Sequence, residues 1–427
     1  EKIAAALLGN DTLQTLDLEG NGIGSAGAEK IAAALQGNDT LQCLDLADND
    51  IGDVGATAVA AVLQHNQALT TLDLGLNDIG AAGVEKIAVM LRHNLTLEIL
   101  FLRFNDIGAR GAGHIALALL DNETLQRLYL DFSDIGAAGA TTIGFALHHN
   151  ETLQELSLDG NDIGAAGATA ISVALHHNET LQELSLDVND IDAAGATAIS
   201  VALQHNKALR KLSLRRNHIG VAGAEPIAAA LQQNNTLRAL LLSENDIGAR
   251  GAEHVAVALT HNKAIQFLIL CSNNIGDYGA ERLAIMLEHN NTIQCVGLDS
   301  NDIGSGGAEK IAAVLVRNDT LKELYLRGNS ISKAGAEAIA ERAMTRCRRW
   351  ISRALRYDNN QLIALELRNN PNVPTELQDK IERLAEINHQ STSCSPVEVA
   401  KKKRAEFGPT VDDVYAFIKS HPYVLSD

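Results

Sequence analysis

Leu13-Gln14-Thr15-Leu16-Asp17-Leu18-Glu19-Gly20-Asn21-Gly22-Ile23-Gly24 is the stretch whose reading decides the fold. Its leucines alternate, so they point one way from an extended chain while Thr15 and Asp17 point the other, as in a short strand with one buried face. Asn21 follows the strand, where its amide can bond backbone groups that a turn leaves unpaired. Further on, Ala28-Glu29-Lys30-Ile31-Ala32-Ala33-Ala34-Leu35 has helical periodicity, with Ile31 and Leu35 on one face, and Asn38 ends the helix. The pattern Leu-x-x-Leu-x-Leu-x-x-Asn-x-Ile-Gly returns at a constant interval, at Leu41, Leu69, Leu97, Leu125, Leu153, Leu181, Leu209, Leu237, Ile265, Ile293 and Leu321, which makes twelve units in strict register. Only Ser133 breaks the Asn series. A Gly recurs in all twelve units, from Gly27, Gly55 and Gly83 to Gly335. It calls for either a positive φ or a close approach between neighbouring coils.

One strand and one helix cannot bury an apolar face alone, but stacked units can. Helices are wider than strands, so a stack with helices outside and strands inside bends. The expected fold is therefore an α/β solenoid, a horseshoe with a parallel β-sheet on the concave face and helices on the convex face. A thirteenth strand, Leu362-Ile363-Ala364-Leu365-Glu366-Leu367, follows the twelfth after a lengthened interval, from Leu321 to Leu362.

These units resemble the ribonuclease-inhibitor type of leucine-rich repeat, over more than four fifths of the chain. The resemblance implies a repeat solenoid, and a family that includes enzyme inhibitors, GTPase activators, sensor domains of innate immune receptors and effectors of intracellular bacteria. Two successive units, HHNETLQELSLDGNDIGAAGATAISVAL from His148 and HHNETLQELSLDVNDIDAAGATAIS from His176, are nearly identical. Such homogeneous units resemble leucine-rich repeat effectors of bacteria that live inside eukaryotic cells. The domain reading is leucine-rich repeats over 1–340, a lengthened last helix and final strand over 341–373, and a small C-terminal helical cap over 374–427. The opening Glu1-Lys2-Ile3-Ala4-Ala5-Ala6-Leu7 copies Glu29–Leu35, so the expectation is a chain that begins inside a repeat, truncated at its N-terminus.

Composition narrows the function. Of 427 residues, 53 are acidic and 35 basic, and aromatics make up only 3% against 46% hydrophobic residues. A core poor in rings must be filled by Leu, Ile, Ala and Val in a regular way. The net charge of −18 opposes general affinity for nucleic acids or anionic membranes. That acidity belongs to the repeats, because residues 333–427 hold 15 basic and 13 acidic side chains. No stretch approaches the roughly 18 apolar residues of a membrane span. Five cysteines without CxxC spacing point to a reducing compartment, with neither a disulfide framework nor a zinc site. The expected location is cytoplasmic, in the host cytosol for a secreted effector. No converging nucleophile–base arrangement or phosphate loop is present, so neither an enzyme nor a cofactor is expected. Seven histidines (His65, His93, His149, His177, His205, His261 and His289) directly precede the Asn at a helix end, where a cationic or donor side chain is favoured. No metal site is expected of them.

The outward strand positions, free of core duty, are where binding residues belong. Eight aromatics lie in residues 1–332, and six of them fall at such positions. Ile99, Phe101, Arg103 and Phe104 in the fourth unit should lie beside Arg127, Tyr129, Asp131 and Phe132 in the fifth. Aromatic and Arg anchors are typical of protein–protein hot spots, although rings that merely cover their neighbours would look the same. Leu241, Phe267 and Ile269 form a second apolar group. Asp17, Asp45 and Asp73 read as an acidic ladder, as do Glu155, Asp159, Glu183 and Asp187, while Lys211, Arg215 and Arg216 read as a basic step. These bands either orient a partner or keep an exposed sheet solvated.

Beyond the repeats, Arg342, Arg346, Arg348, Arg349, Arg353 and Arg356 surround Trp350 on an amphipathic helix, which reads as a cover for the solenoid's end in preference to a membrane or nucleic-acid contact. Helix starts at Thr375, Ser395 and Thr410 suggest the cap, and Lys401–Arg404 reads as a solvated helix face. The function expected is a protein-interaction scaffold, monomeric, holding a protein partner on its concave face. The alternative is a regulator of a partner enzyme, with Arg103, Arg127 or Arg215 supplying transition-state charge.

Overall fold

The computed structural model describes residues 2–339 and the strand Ala364–Glu366. The expected Arg342–Arg356 helix, the helical cap and the Lys401–Arg404 run lie outside the described residues. The chain divides into two units, Glu1–Asp246 and Ile247–Asp427. In the first, nine three-residue strands alternate with helices: β1 Thr15–Asp17, β2 Cys43–Asp45, β3 Thr71–Asp73, β4 Ile99–Phe101, β5 Arg127–Tyr129, β6 Glu155–Ser157, β7 Glu183–Ser185, β8 Lys211–Ser213 and β9 Ala239–Leu241. In the second, the described strands are β10 Phe267–Ile269, β11 Cys295–Gly297, β12 Glu323–Tyr325 and β13 Ala364–Glu366. Within each unit consecutive strands pair in parallel, so the expected repeat solenoid is the fold.

Register follows the period. Cys43 pairs with Thr71, and Ile99 with Arg127, each with its equivalent in the next repeat. The last step is longer, from Glu323 to Ala364, as the sequence spacing requires. The ladder also runs past the short strands: Leu18 N donates to Asp45 O at 3.0 Å, and Gly20 N to Ala47 O at 3.0 Å. In one coil Leu41, Leu44, Leu46 and Ile51 are buried with Ala56, Val59 and Leu63 of the following helix, Gly52–Leu63. Truncating one such leucine costs about 2–5 kcal/mol.

Two asparagines per coil tie each coil to the one before it. Asn49, fully buried, donates through Nδ2 to Leu18 O (2.8 Å), Leu46 O (3.1 Å) and Ala47 O (2.9 Å). Its Oδ1 accepts from Asn21 N at 3.1 Å and Ile23 N at 3.2 Å. The second asparagine does more than end a helix. Asn66 Nδ2 donates to Leu35 O and Asn38 O of the previous coil, while its Oδ1 accepts from Ala68 N and Leu69 N. Aspartates add a third tie in places: Asp53 Oδ1 accepts from Gly80 N (2.7 Å) and Gly83 N (2.9 Å), capping the helix of the next coil.

Of the two readings of the recurrent glycine, close approach is the right one. A Cβ on Gly55 would stand 2.8 Å from Ile51 Cβ and 3.0 Å from Ala28 Cβ of the preceding helix, with no positive φ. Left-handed backbone lies elsewhere, at the residue just before the first asparagine or its equivalent Ser133, where Gly20, Asp48, Leu76, Phe104, Phe132, Gly160 and Val188 all have φ between 51° and 69°, and again two residues later, at Asp50, Asp78, Asp134, Asp162 and Asp190.

Ser133 is the defect in the first ladder. Its Oγ donates to Asp131 O (3.2 Å) or Leu102 O (3.5 Å), and it accepts from neither Asn105 N–H nor Ile107 N–H, which an asparagine oxygen would serve. Ser133→Asn should raise stability by about 1–3 kcal/mol, seen as a higher Tm in thermal unfolding. An unchanged Tm would mean the site does not accept the carboxamide as its neighbours do.

Candidate binding surface

The strand geometry sorts side chains by face. Leu100 and Leu128 are fully buried, so their neighbours on β4 and β5 face outward. Phe101 pairs with Tyr129 in register, and their rings stack with centroids 4.4 Å apart and planes 10° apart. Phe104 and Phe132, one turn further on, stack at 4.8 Å and 4°. Such pairs contribute about 0.5–1.5 kcal/mol beyond area burial. The Arg103 guanidinium sits 5.3 Å from the Phe101 centroid. Thus Ile99, Phe101, Arg103, Phe104, Arg127, Tyr129, Asp131 and Phe132 do share one face of adjacent coils.

Phe104 and Phe132 are nevertheless unlike the strand pair. They remain 45% and 44% exposed, and both hold left-handed backbone, φ 56° and 51°. A side chain with Cβ there costs roughly 1–2 kcal/mol, and Gly20, Gly160 and Gly328 occupy the same position without that penalty. Gly160 also makes room: a Cβ on it would fall 2.3 Å from the Phe132 ring.

The charged residues are more committed than their sequence bands suggest. Asp131 Oδ1 accepts from the Ser157 hydroxyl and from Asp159 N at 3.2 Å. Asp159 Oδ1 accepts from Asp187 N at 2.8 Å, and Asp187 Oδ1 from Arg215 N at 2.7 Å and Ser213 Oγ at 2.5 Å. These carboxylates form a side-chain ladder between coils, which the sequence reading did not recognise. The arginines are paired as well: Arg103 with Asp73 (3.1 Å), Arg127 with Glu155 (3.7 Å) and Arg215 with Asp187 (3.2 Å). The basic step of Lys211 and Arg216 is met by Glu183 and Glu244, each at 2.9 Å.

Of the second apolar group, Leu241 is partly buried on β9 of the first unit. In the second unit Phe267 is exposed on β10, while Ile269 leans over Gly297, whose added Cβ would meet it at 3.1 Å. Burial pushes the Cys295 thiol up, with Glu323 adding to the shift. The histidines of neighbouring coils touch, with His148–His177 centroids at 4.9 Å and His176–His205 at 4.6 Å. The set of three metal-capable ligand atoms found within 4.8 Å of one another among the described residues is instead carboxylate, on Asp17, Glu19 and Asp45. Exposed acidic groups of this kind are common without an ion.

The Leucine Rich repeat family profile matches residues 9–32, 37–60, 65–88, 93–116, 121–144, 149–172, 177–200, 205–228, 233–256, 289–312 and 317–340. The chain belongs to the leucine-rich repeat family. The profile passes over the unit around β10. No curated protein sequence matches this leucine-rich repeat chain. Among solved structures, leiomodin-1 actin-binding site 2 is 26% identical at a TM-score of 0.32, covering 35% of this chain and 87% of its own. An internalin from Listeria monocytogenes is 18% identical at a TM-score of 0.47, covering 79% of this chain and 87% of its own. Both superpositions are loose. Repeat solenoids present extended surfaces for protein partners, and the leucine-rich repeats of this chain support a protein-interaction scaffold. No described helix is long and apolar enough to cross a membrane.

Burial pushes the Asp159 carboxyl up to about 6, and the charges of Asp187 and Asp131 add to this, while bonds from the Ser185 hydroxyl and Asp187 N–H oppose it. An unfolded aspartate titrates near ~3.9. Between these values the folded chain binds the extra proton, so stability from this group falls as pH rises from about 4 to 6. Asp159→Asn should therefore raise Tm at pH 7.5 and give little or no gain at pH 4. Equal gains at both pH values would disprove the titration.

Proposed function

We propose that this leucine-rich repeat chain is a scaffold that holds a protein partner on the open face of its sheet, centred on the fourth and fifth repeats. One observation carries the reading: in a chain with 3% aromatics, four rings stack in two pairs on adjacent coils and face away from the core. Two of them stand exposed on left-handed backbone where glycine would fit without strain. The one break in the asparagine ladder, Ser133, adjoins Phe132. A break in the ladder beside exposed rings is a local departure of the kind that gathers at functional sites. Exposed apolar patches rimmed by polar groups mark interaction surfaces, and Arg103, Arg127 and their acidic partners supply that rim.

The setting that fits is that of a bacterial effector in a host cytosol, built on repeats of the ribonuclease-inhibitor type and acting as a monomer. The near-identical sixth and seventh repeats support it. The arginines give less support to the alternative of an enzyme regulator, because Arg103, Arg127 and Arg215 already spend their charge on neighbouring coils.

Phe101→Ala with Tyr129→Ala should leave the Tm within a few degrees and abolish capture of the partner from eukaryotic lysate, read by mass spectrometry against the wild type. Undiminished capture of the same protein by the double variant would move the site off these strands. Partners found in bacterial lysate and absent from eukaryotic lysate would count against the host setting.

A further inference from the structure

The loops that leave the strands carry two parallel rows. The first lies at the left-handed position before the asparagine and holds Leu76, Phe104, Phe132 and Val188, exposed by 46%, 45%, 44% and 36%. Gly160 interrupts the row in sequence only, since the Phe132 ring occupies the space where a side chain on Gly160 would stand. The second row lies two residues further along each loop. There Asp50, Asp78, Asp106, Asp134, Asp162 and Asp190 are all exposed. Among the described residues only Asp190 of this row has an ion-pair contact, with His218 at 3.3 Å. These aspartates thus differ from Asp131, Asp159 and Asp187 on the sheet, whose oxygens bind the next coil.

We infer that this double row is a docking track for a cationic amphipathic helix lying across the coils, its apolar face on the Leu76–Val188 row and its Lys or Arg side chains over the aspartates. The inference rests on the scaffold reading above and names the chemistry of the partner.

Spacing supports a helix. Adjacent strands lie about 4.8 Å apart, so the row from Leu76 to Val188 spans four steps, about 19 Å. A helix rises about 1.5 Å per residue, which gives about 3.2 residues per coil, close to the 3.5 of an apolar stripe on an amphipathic helix. About thirteen residues of helix cover the row, presenting apolar side chains in the i, i+3, i+4, i+7 pattern of helix-in-groove recognition. Charge selects the sign. Six exposed carboxylates in file repel an acidic helix, a nucleic acid or an anionic membrane, and they speed the approach of a basic partner. Bulky apolar residues held exposed on left-handed backbone, beside a file of exposed acids, form an edge that solvation alone does not require.

The test uses the full chain and three fluorescent 18-residue peptides: a Leu/Lys amphipathic helix, the same composition scrambled around the helix, and a Leu/Glu counterpart. Anisotropy titrations should show the Leu/Lys peptide binding at least tenfold tighter than the scrambled one, with no binding of the Leu/Glu peptide. Phe104→Gly with Phe132→Gly suits the backbone and should weaken binding tenfold or more at unchanged fold by circular dichroism. Asp78→Asn, Asp106→Asn and Asp134→Asn together should weaken it and flatten its salt dependence. Equal affinity for the scrambled peptide, no binding of the Leu/Lys peptide, or indifference to the Phe104/Phe132 variant would each overturn the track. The scaffold reading fails separately. A lysate partner lost from the Phe101→Ala/Tyr129→Ala variant, with no peptide binding to the wild type, keeps the scaffold and removes the helix. Peptide binding that follows Phe104 and Phe132, with capture indifferent to Phe101 and Tyr129, keeps the track and removes the strand face.

Discussion

The buried asparagine amide that spans two coils is the constraint on which the rest of the molecule depends. Asn49 satisfies carbonyls of its own coil and of the preceding one, and it accepts two N–H groups from that preceding coil. A turn buried this deeply would otherwise leave several polar groups unpaired, each costing about 1–3 kcal/mol. At the other end of the coil Asn66 donates to carbonyls of the preceding coil and accepts from N–H groups of its own. Because both amides reach backward by one period, every coil must repeat the geometry of its neighbour. The constant register and the parallel pairing follow from that requirement.

Once the amides and leucines have fixed the coil, the outward positions are released from the core. They then divide. On the sheet, Asp131, Asp159 and Asp187 are drawn into structural bonds, and burial, with the charges of Asp187 and Asp131 adding to it, raises the proton affinity of Asp159. On the loops the aspartates keep their carboxylates in water. The acidic side chains of the repeats are therefore partly engaged between coils and partly displayed. The displayed part lies beside the exposed apolar side chains, which is why the loop edge differs chemically from the sheet it borders.

Much of this was legible in the chain. The period, the strand positions, the late thirteenth strand and the adjacency of Phe101 with Tyr129 all follow from spacing, because parallel coils of equal length place equivalent residues side by side. Four features were not. The asparagine at the helix end looks like a simple stop signal, since its cross-coil bonds depend on the equivalent residue one repeat earlier. The recurrent glycine at Gly55 left two readings open, and only the distance to Ala28 decides between them. The left-handed position escaped notice because it is filled by Phe104, Phe132 and Val188 as well as by glycine, and residue type gives no warning of strained backbone. Ion pairing of Arg103 and Arg215 was likewise invisible, because it depends on the acid of a neighbouring coil.

The backward reach of the asparagines also sets how such a molecule can change length. A coil's bonds are addressed to whichever coil precedes it, and every preceding coil offers the same carbonyls at the same places. Insertion of one whole coil meets acceptors already in position on both sides, whereas another length must first return the strand to register, as the longer step from Glu323 to Ala364 does. The near-identical coils around β6 and β7 have the form that such a step leaves behind. Among the twelve regular units size is thus a counted quantity, altered one coil at a time, and each addition moves a surface feature along the array by one strand spacing, about 4.8 Å.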